Sequence, residues 1–346
     1  MNKRVKKVTI VDVAAEAGVS FGTVSRVINN DVHVKDETRK RVLDTMSRLK
    51  FVANRQARSL AGGKTNTIGL LVPDLGTGYI GEIIRGIDSV IGEADFDLML
   101  YTTHRKATKE VSYVNNLIQG MVDGLLLVLP RNPIDYAEFL SSRNFPFVLI
   151  DHQGTGEDCP AIGSTNWQGA YQATNYLIQL GHRKIGFITG WLDLGCAVDR
   201  LEGFKAALKN NRIPLMNDLV FEGTFAQLDG YAGANKFLGL KKPPSAIFAS
   251  NDVMAMAAMD AARERGMRIP EDISIIGFDD IPQASLVRPS LTTIRQPLEQ
   301  MGRTAAQVLL DIIRNPNNSY KRVELPTELI VRDSTTRLKN KTGEQR

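Results

Sequence analysis

Short apolar runs alternating with amphipathic stretches, repeated from Thr67 almost to the end of the chain, constrain the fold more than any other feature. Residues 68–72, 98–101, 124–129 and 146–150 read as strands, with helices at 80–94, 109–119 and 135–142 between them. A second series follows, with helices at 169–180, 199–210, 228–238 and 252–265 and strands at 184–189, 218–221, 246–249 and 273–277. A strand at 292–294, a helix at 298–313 and a last strand near 329–331 complete it. Continuous apolar strands separated by helices predict parallel sheets covered on both faces. Two series of similar make-up predict two α/β subdomains with a cleft between them, and ligands of such sheets bind at the carboxyl ends of the strands.

The residues in front of this body follow another pattern. Ile10, Val13, Ala14 and Ala17 fall at i, i+3, i+4 and i+7, the apolar stripe of a short helix. Thr9 with Asp12 three residues on forms a capping box with Asp in place of Glu. Gly18 breaks that helix and Ser20 is positioned to cap a second, in which Val24, Val27 and Ile28 face inward. Phe21, Gly22, Ser25, Arg26 and Asn29 share the opposite face. Two short helices joined by a glycine-containing turn make a helix-turn-helix, whose second helix enters the major groove. Arg26 and Asn29 are base-reading types, Arg for guanine and Asn for adenine. A third helix, 36–49, turns Val42, Leu43, Met46 and Leu49 inward, with Phe51 closing the small core. The polar segment from Asn54 to Leu60 is helix-capable but too short to be stable alone, the behaviour of a segment that folds on binding. Arg55 and Arg58 suit phosphates or a minor groove, and Leu60 suits a wedge between base steps.

Charge supports this division. Residues 1–65 hold 14 Lys+Arg against 6 Asp+Glu, and the remainder 29 against 32. A basic head on a slightly acidic body places phosphate binding in the head alone. With 346 residues, two or three domains are expected. Cys159 and Cys196 are too few for a disulfide framework or a zinc site. No apolar run approaches the roughly 18 residues needed to cross a bilayer. No apolar stretch follows Lys3, Arg4, Lys6 and Lys7, so no secretory signal is expected and the cytoplasm is the expected location.

Head and body together resemble the lactose/galactose repressor family of bacterial transcription regulators. The matching pieces are TIVDVAAEAGVSFGTVSRVINN, ETRKRVLDTMSRLKFVANRQARSLAGGKTNTIGLLVPDL, LGHRKIGFITG, DRLEGFKAAL, ASNDVMAMAAMDAARERGMRIPEDISIIGFDDIP and PSLTTIRQP. They run in order through residues 8–336. The resemblance implies an all-α helix-turn-helix domain over 8–52, a hinge helix over 53–63 and a periplasmic-binding-protein-like effector and dimerisation domain over 66–336. Its two doubly wound parallel-sheet subdomains would cover about 66–163 with 292–322, and 164–290 with 323–336. Three crossovers would fall near Ser164, Leu291 and Val323.

The resemblance also implies site residues. Thr9, Ser20, Phe21, Gly22, Ser25, Arg26 and Asn29 would lie at the DNA, joined by Asn54, Arg55, Ala57, Arg58 and the minor-groove wedge Leu60. Tyr79, Asp151, Arg200, Phe225, Asn251 and Asp279 would hold a small-molecule effector. The chemistry of Arg and Asp beside aromatic faces suits vicinal hydroxyls on a pyranose, so a sugar is the expected effector and a purine or nucleoside the alternative. The expected partners are a pseudo-palindromic double-stranded operator and a second copy of the chain, with no metal, cofactor or membrane.

Four departures from the family pattern stand out. Gly22 replaces a larger base-reading side chain, and Lys35 stands where a capping Ser is usual, leaving Asp36 to cap. Ala53 replaces the proline before the hinge, and Gly76-Thr77-Gly78-Tyr79 replaces an Asn-Pro-Phe run. Two rival readings compete with a regulator. Gly76, Gly78 and Gly81 spell the glycine pattern of dinucleotide binding, but the strand ending at Thr102 lacks the acid that pattern requires. A transport solute-binding protein would share the body but needs export and has no use for the basic head.

Overall fold

In the head, three helices form because each has its own start and stop. The computed structural model describes residues 8–28, 31–51, 64–76, 78–131, 133–152, 159–316, 318 and 320–338. Helix α1 (Ile10–Ala17) opens on the expected capping box: the Thr9 N–H donates to Asp12 Oδ2 at 2.8 Å, and the Asp12 N–H donates to Thr9 Oγ1 at 3.4 Å. Gly18 ends it at φ 64, the left-handed conformation that a side chain resists. Helix α2 (Phe21–Ile28) is capped by Ser20, whose Oγ accepts from the Thr23 N–H at 3.1 Å. Helix α3 (Asp36–Arg48) follows, and Val13, Ala14, Val24, Val27 and Val42 close the core with Phe51 packed against them.

Two details of α3 differ from expectation. Leu43 is 48% exposed, and Thr45 is buried in its place. Val42 sets the inward face, and positions three, four and seven residues on, Thr45, Met46 and Leu49, share it; Leu43 lies about 100° round the helix. Asp36 does not cap. Lys35 is the capping position and makes no side-chain bond, while Asp36 and Glu37 occupy the first turn, where their charge answers the helix dipole.

The chain divides into two compact units, one comprising residues up to Asn66 with 119–123, the other the rest. The larger unit contains two six-stranded sheets. The first is ordered β11-β5-β4-β3-β1-β2, from strands β1 (Thr67–Val72), β2 (Asp97–Thr102), β3 (Gly124–Val128), β4 (Phe147–Ile150), β5 (Ala161–Ser164) and β11 (Val323–Leu325). All its pairings are parallel. Helices α4 (Gly78–Ile91), α5 (Ala107–Leu117), α6 (Ile134–Ser142) and α12 (Leu298–Arg314) belong to this half. The second sheet is ordered β12-β10-β9-β8-β6-β7, from β6 (Ile185–Ile188), β7 (Val220–Phe221), β8 (Ala246–Ala249), β9 (Ser274–Asp279), β10 (Thr292–Arg295) and β12 (Glu328–Ile330). Only β12 runs antiparallel in it. Its helices are α7 (Asn166–Gln179), α8 (Gly195–Asn210), α9 (Gln227–Leu238), α10 (Asp252–Glu264) and the short α11 (Pro282–Leu286). β1, β3, β4, β6, β8 and β9 are buried along their whole length, as parallel strands covered on both faces must be.

The chain crosses between the sheets three times, as expected, but two crossings are displaced. The first follows Ser164, at the end of β5. The second lies after Arg295 rather than near Leu291, because β10 bonds to β9 with Thr292 opposite Ile276. The third lies between Leu325 and Glu328 rather than near Val323, because β11 bonds to β5 with Val323 opposite Ile162. A strand's own residues do not say which sheet it joins; its neighbour does. The first subdomain therefore comprises residues 67–164 with 298–325, and the second 166–295 with the strand from 328. The expected strand at 218–221 is a single 3₁₀ turn, Asn217–Leu219, followed by the two-residue β7.

Helices α4 and α12 cross at glycines. A Cβ on Gly86 would meet the backbone of Glu299 and Arg303, and a Cβ on Gly302 would meet the backbone of Ile83. The two backbones therefore touch, holding α4 and its N-terminal turn firmly against the first subdomain. Among the described residues no helix is long and apolar enough to cross a membrane.

Candidate functional site

Each sheet delivers polar residues to its carboxyl edge, and the two edges face each other across one cleft. Asp74 follows β1, Arg105 follows β2, Leu129 follows β3 and Asp151 follows β4. From the other side come Phe225 after β7, Asn251 after β8 and Asp279 at the end of β9. The first turns of α4, α8 and α10 add Tyr79, Ile80, Cys196 and Val253, and the second turn of α8 adds Arg200. All six residues expected to hold an effector line this cavity. Arg105, Leu129, Asp151, Phe225 and Asp279 adopt φ values of 58, 48, 54, 63 and 119°, respectively. Left-handed backbone at non-glycine residues costs energy and concentrates at functional sites.

At the centre is a buried ion pair. Arg200 is 2% and Asp279 5% exposed, with Arg200 Nη1 3.5 Å from Asp279 Oδ1. Arg200 Nε donates to Asn166 Oδ1 at 2.8 Å and Nη1 to the Ser250 carbonyl at 2.5 Å. Its guanidinium lies 3.8 Å from the Phe278 ring and 5.6 Å from the Phe225 ring. Gln296 Nε2 donates to Asp279 Oδ1 at 2.7 Å. Arg200 Nη2 and Asp279 Oδ2 are left without a hydrogen bond among the described residues. Burial pushes the Asp279 carboxyl up to about 7, against the opposing pull of Arg200 and the bond from Gln296.

The other expected residues divide into two kinds. Phe225 presents an aromatic wall, and Gly190 makes room for its ring, since a Cβ there would overlap it. Tyr79 donates its hydroxyl to Asp151 Oδ2 at 2.8 Å, and Asn166 Nδ2 reaches Asp151 Oδ1 at 3.4 Å. Asn251 holds the wall together instead. Its Oδ1 accepts from the Met254 N–H at 2.8 Å, capping α10, and its Nδ2 donates to the Phe225 carbonyl at 3.1 Å. Asp74, Arg105 and Cys196 also line the cavity, and Asn166 touches Arg200 from the start of α7; no sequence pattern singles these four out. Within the Gly76–Tyr79 run, a Cβ on Gly78 would sit 3.3 Å from Ile281 Cβ and 3.4 Å from Pro282 Cδ and would displace the end of the Gln283 side chain.

Two arginines of the first subdomain span the mouth of the cleft. Arg105 places Nε and Nη2 on Asp74 Oδ2, at 3.0 and 2.7 Å, and Nη1 on the Thr224 carbonyl of the second subdomain at 3.0 Å. Arg131 forms an ion pair with Asp193 of the second subdomain and lies 4.1 Å above the Trp191 ring.

In the head, the exposed face of α2 presents Phe21, 55% exposed, beside Gly22, Ser25 and Arg26. Arg26 Nε donates to the Gly22 carbonyl at 3.2 Å, so its side chain lies back along the face that Gly22 leaves open. Thr9 and Ser20 are engaged as helix caps. Asn29, Ala53 and the expected hinge contacts Asn54, Arg55, Ala57, Arg58 and Leu60 lie outside the described residues.

A helix-turn-helix carrying exposed polar and aromatic residues, joined to a two-sheet body with a polar cleft, defines a class: a DNA-binding regulator with a small-molecule receptor in the same chain. Residues 9–54 match the model of bacterial regulatory proteins of the lacI family, and residues 174–335 match a periplasmic binding protein-like domain. The HTH-type transcriptional repressor PurR of Photorhabdus laumondii is 38% identical over 94% of this chain and 96% of its own. The structure of the lac repressor dimer bound to operator and the anti-inducer ONPF matches with a TM-score of 0.82 at 30% identity, over 96% of this chain and all of that one. The transcriptional regulator CelR in complex with cellobiose matches with a TM-score of 0.72 at 32% identity, over 94% of this chain and 99% of that one. The chain belongs to the lacI family of bacterial regulatory proteins and is a DNA-binding transcriptional regulator.

Proposed function

We propose that the cleft receives a sugar and that its occupancy sets the affinity of the head for an operator. The observation that carries this reading is the buried Arg200–Asp279 pair, which keeps one donor nitrogen and one acceptor oxygen unused beside the Phe225 ring. Adjacent hydroxyls of a pyranose need such a donor and acceptor side by side, and the apolar ring face needs an aromatic wall. The lac repressor and CelR structures, with ONPF and cellobiose bound, support the same choice of ligand class for this chain. The protein acts as a repressor in the cytoplasm, as a homodimer whose two heads read a pseudo-palindrome, and performs no catalysis. Phe21, Ser25, Arg26 and Asn29 read the major groove; Asn54, Arg55, Ala57, Arg58 and Leu60 engage the minor groove as a hinge.

The test is a thermal-shift screen of mono- and disaccharides and nucleosides on the full chain, followed by operator gel shifts with and without each hit. Arg200→Ala is expected to abolish the response to the hit while leaving basal operator binding within about twofold. A full response in Arg200→Ala would overturn the assignment of the cleft.

A further inference from the structure

Arginines in a ligand cleft suggest an anionic ligand, and here the geometry points the other way. We propose that the cleft accepts an uncharged, hydroxyl-bearing effector and rejects the phosphorylated or carboxylated forms of the same molecule. This rests on the reading of the cleft as the effector site and narrows the class of molecule it takes.

The charge inventory of the cavity wall is the first argument. Asp74, Asp151 and Asp279 supply three carboxyl groups, and Arg105 and Arg200 two guanidinium groups. With Asp279 protonated the wall is neutral, and with Asp279 ionised it is negative. In neither state do the described residues of the wall leave a spare positive charge for an oxyanion. Buried anions require paired cations and full hydrogen bonding, so adding one to a wall already balanced by its own carboxylates is unfavourable.

How the cations are used is the second argument. Every nitrogen of Arg105 is engaged: two hold Asp74 and the third bridges to Thr224. Arg131, at the rim, is held by Asp193 and the Trp191 ring, with Nη1 donating to the Arg105 carbonyl. These arginines tie the two subdomains together and are not open forks for a phosphate. Arg200 keeps only Nη2, and Asp279 stands beside it. A lone donor next to an acceptor matches a hydroxyl, which gives one hydrogen bond and takes another; it discourages a cation as well as an anion.

The helix ends supply the third argument. α4, α8 and α10 all begin at the cleft, and helix N-termini attract negative charge. The chain itself answers that attraction. Asp151 takes the hydroxyl of Tyr79 in the first turn of α4, and Asn251 caps α10. At the start of α8, burial and then the field of Asp151 push the Cys196 thiol up; Arg200 opposes this and Asp279 adds to it. Burial, Asp151 and Asp279 push the Tyr79 phenol up in the same direction. Asp151 and Asp279 thus act on both walls in the direction that disfavours a further negative charge.

The experiment uses the full chain at constant ionic strength and matched ligand sets: glucose, glucuronate and glucose 6-phosphate; galactose, galacturonate and galactose 6-phosphate; ribose and ribose 5-phosphate; cellobiose and cellobionate; adenosine and its monophosphate. At least one neutral member is expected to raise the melting temperature, with its acidic counterparts at least about tenfold weaker by calorimetry. An acidic member that binds as tightly as its neutral partner overturns the inference.

Silence across every sugar set would count against the sugar reading, and a second arm then decides the charge question alone. Inorganic phosphate is titrated against the wild type, Arg105→Gln and Arg200→Gln. The same response in all three, attributable to the basic head, is expected. Stabilisation present in the wild type and lost in either variant overturns the inference. Asp74→Asn, which strips Arg105 of its partner at the half-exposed mouth, is expected to admit acidic counterparts that the wild type rejects. Unchanged discrimination in that variant would count against it.

Discussion

Arg200 and Asp279 illustrate how a single residue pair carries both the cost and the use of the cleft. Removing two ionised groups from water is expensive, and the pair endures because Asn166, Ser250 and Gln296 satisfy most of their remaining atoms. The Asp279 carboxyl still titrates near 7, above its ordinary 3.8, because burial outweighs the attraction of Arg200. In the folded chain it holds its proton through a pH range where the unfolded chain has lost it. Its contribution to stability is therefore full below about pH 4 and disappears as the pH rises through about 7. Asp279→Asn removes this dependence. The melting temperature of the ligand-free wild type, measured relative to that of Asp279→Asn, is expected to fall between pH 5 and 8. A constant difference over that range would show that Asp279 ionises at its ordinary pH. The pair and its supports are not equally visible in the sequence. Arg200 and Asp279 sit in motifs that resemble a family. Asn166 and Gln296, far apart in the chain, meet the pair only because two crossovers bring them to the same sheet edge. Asn251 reads as a ligand contact in the sequence and lines the cavity, and its helix-capping bond adds a bracing role that depends on backbone geometry residue type does not show.

At the scale of elements, the alternation of apolar strands and helices is legible because burial on both faces leaves long unbroken apolar runs. The elements that escape are short or edge-located. β5 reads Ala-Ile-Gly-Ser, β11 reads Val-Glu-Leu with Glu324 exposed, and α11 has five residues opening on Pro282. None shows more than about two periods of its pattern, too few to stand out in the sequence. The crossing of α4 and α12 is equally hidden, although it fixes the helix that carries Tyr79. Gly302 lies where the α12 backbone meets the carbonyl of Ile83. Gly302→Ala must push the helices apart or strain them, and overpacking of this kind typically costs about 1–3 kcal/mol. Chemical denaturation is expected to show that loss with the head's helical signal retained. A variant as stable as the wild type would mean the two helices can separate freely. In the cleft the elements meet through side chains instead. Arg131→Ala removes the ion pair to Asp193 and the contact with Trp191 together. It is expected to increase effector dissociation several-fold with a smaller change in association, read by stopped-flow fluorescence of Trp191. Unchanged dissociation would show that Arg131 does not hold the mouth closed.

For the whole molecule, the central question is how a cleft in the body is read out by the head. Ligand and operator affinities must be coupled equally in both directions, because each binds the same two-state molecule. On the proposed hinge reading, the segment that joins head to body carries that coupling. The α2 face itself offers limited base contact: Gly22 has no side chain, and Arg26 lies against the Gly22 carbonyl until a guanine draws it away. On the proposed reading, specificity rests heavily on Phe21, on Arg26 and on Leu60 acting as a minor-groove wedge. If Leu60 is the wedge proposed above, Leu60→Ala removes it and leaves the phosphate-binding charge of the head intact. Specific operator affinity is therefore expected to fall at least about tenfold, with non-specific binding and its salt dependence nearly unchanged. Effector affinity of the DNA-free chain should be unaffected, whereas the effector's influence on operator binding should shrink with the hinge. Gel shifts with operator and scrambled duplexes, each titrated with salt, separate these effects. Equal losses on both duplexes would place Leu60 in the folding of the head, and no loss on either would remove the hinge from recognition altogether.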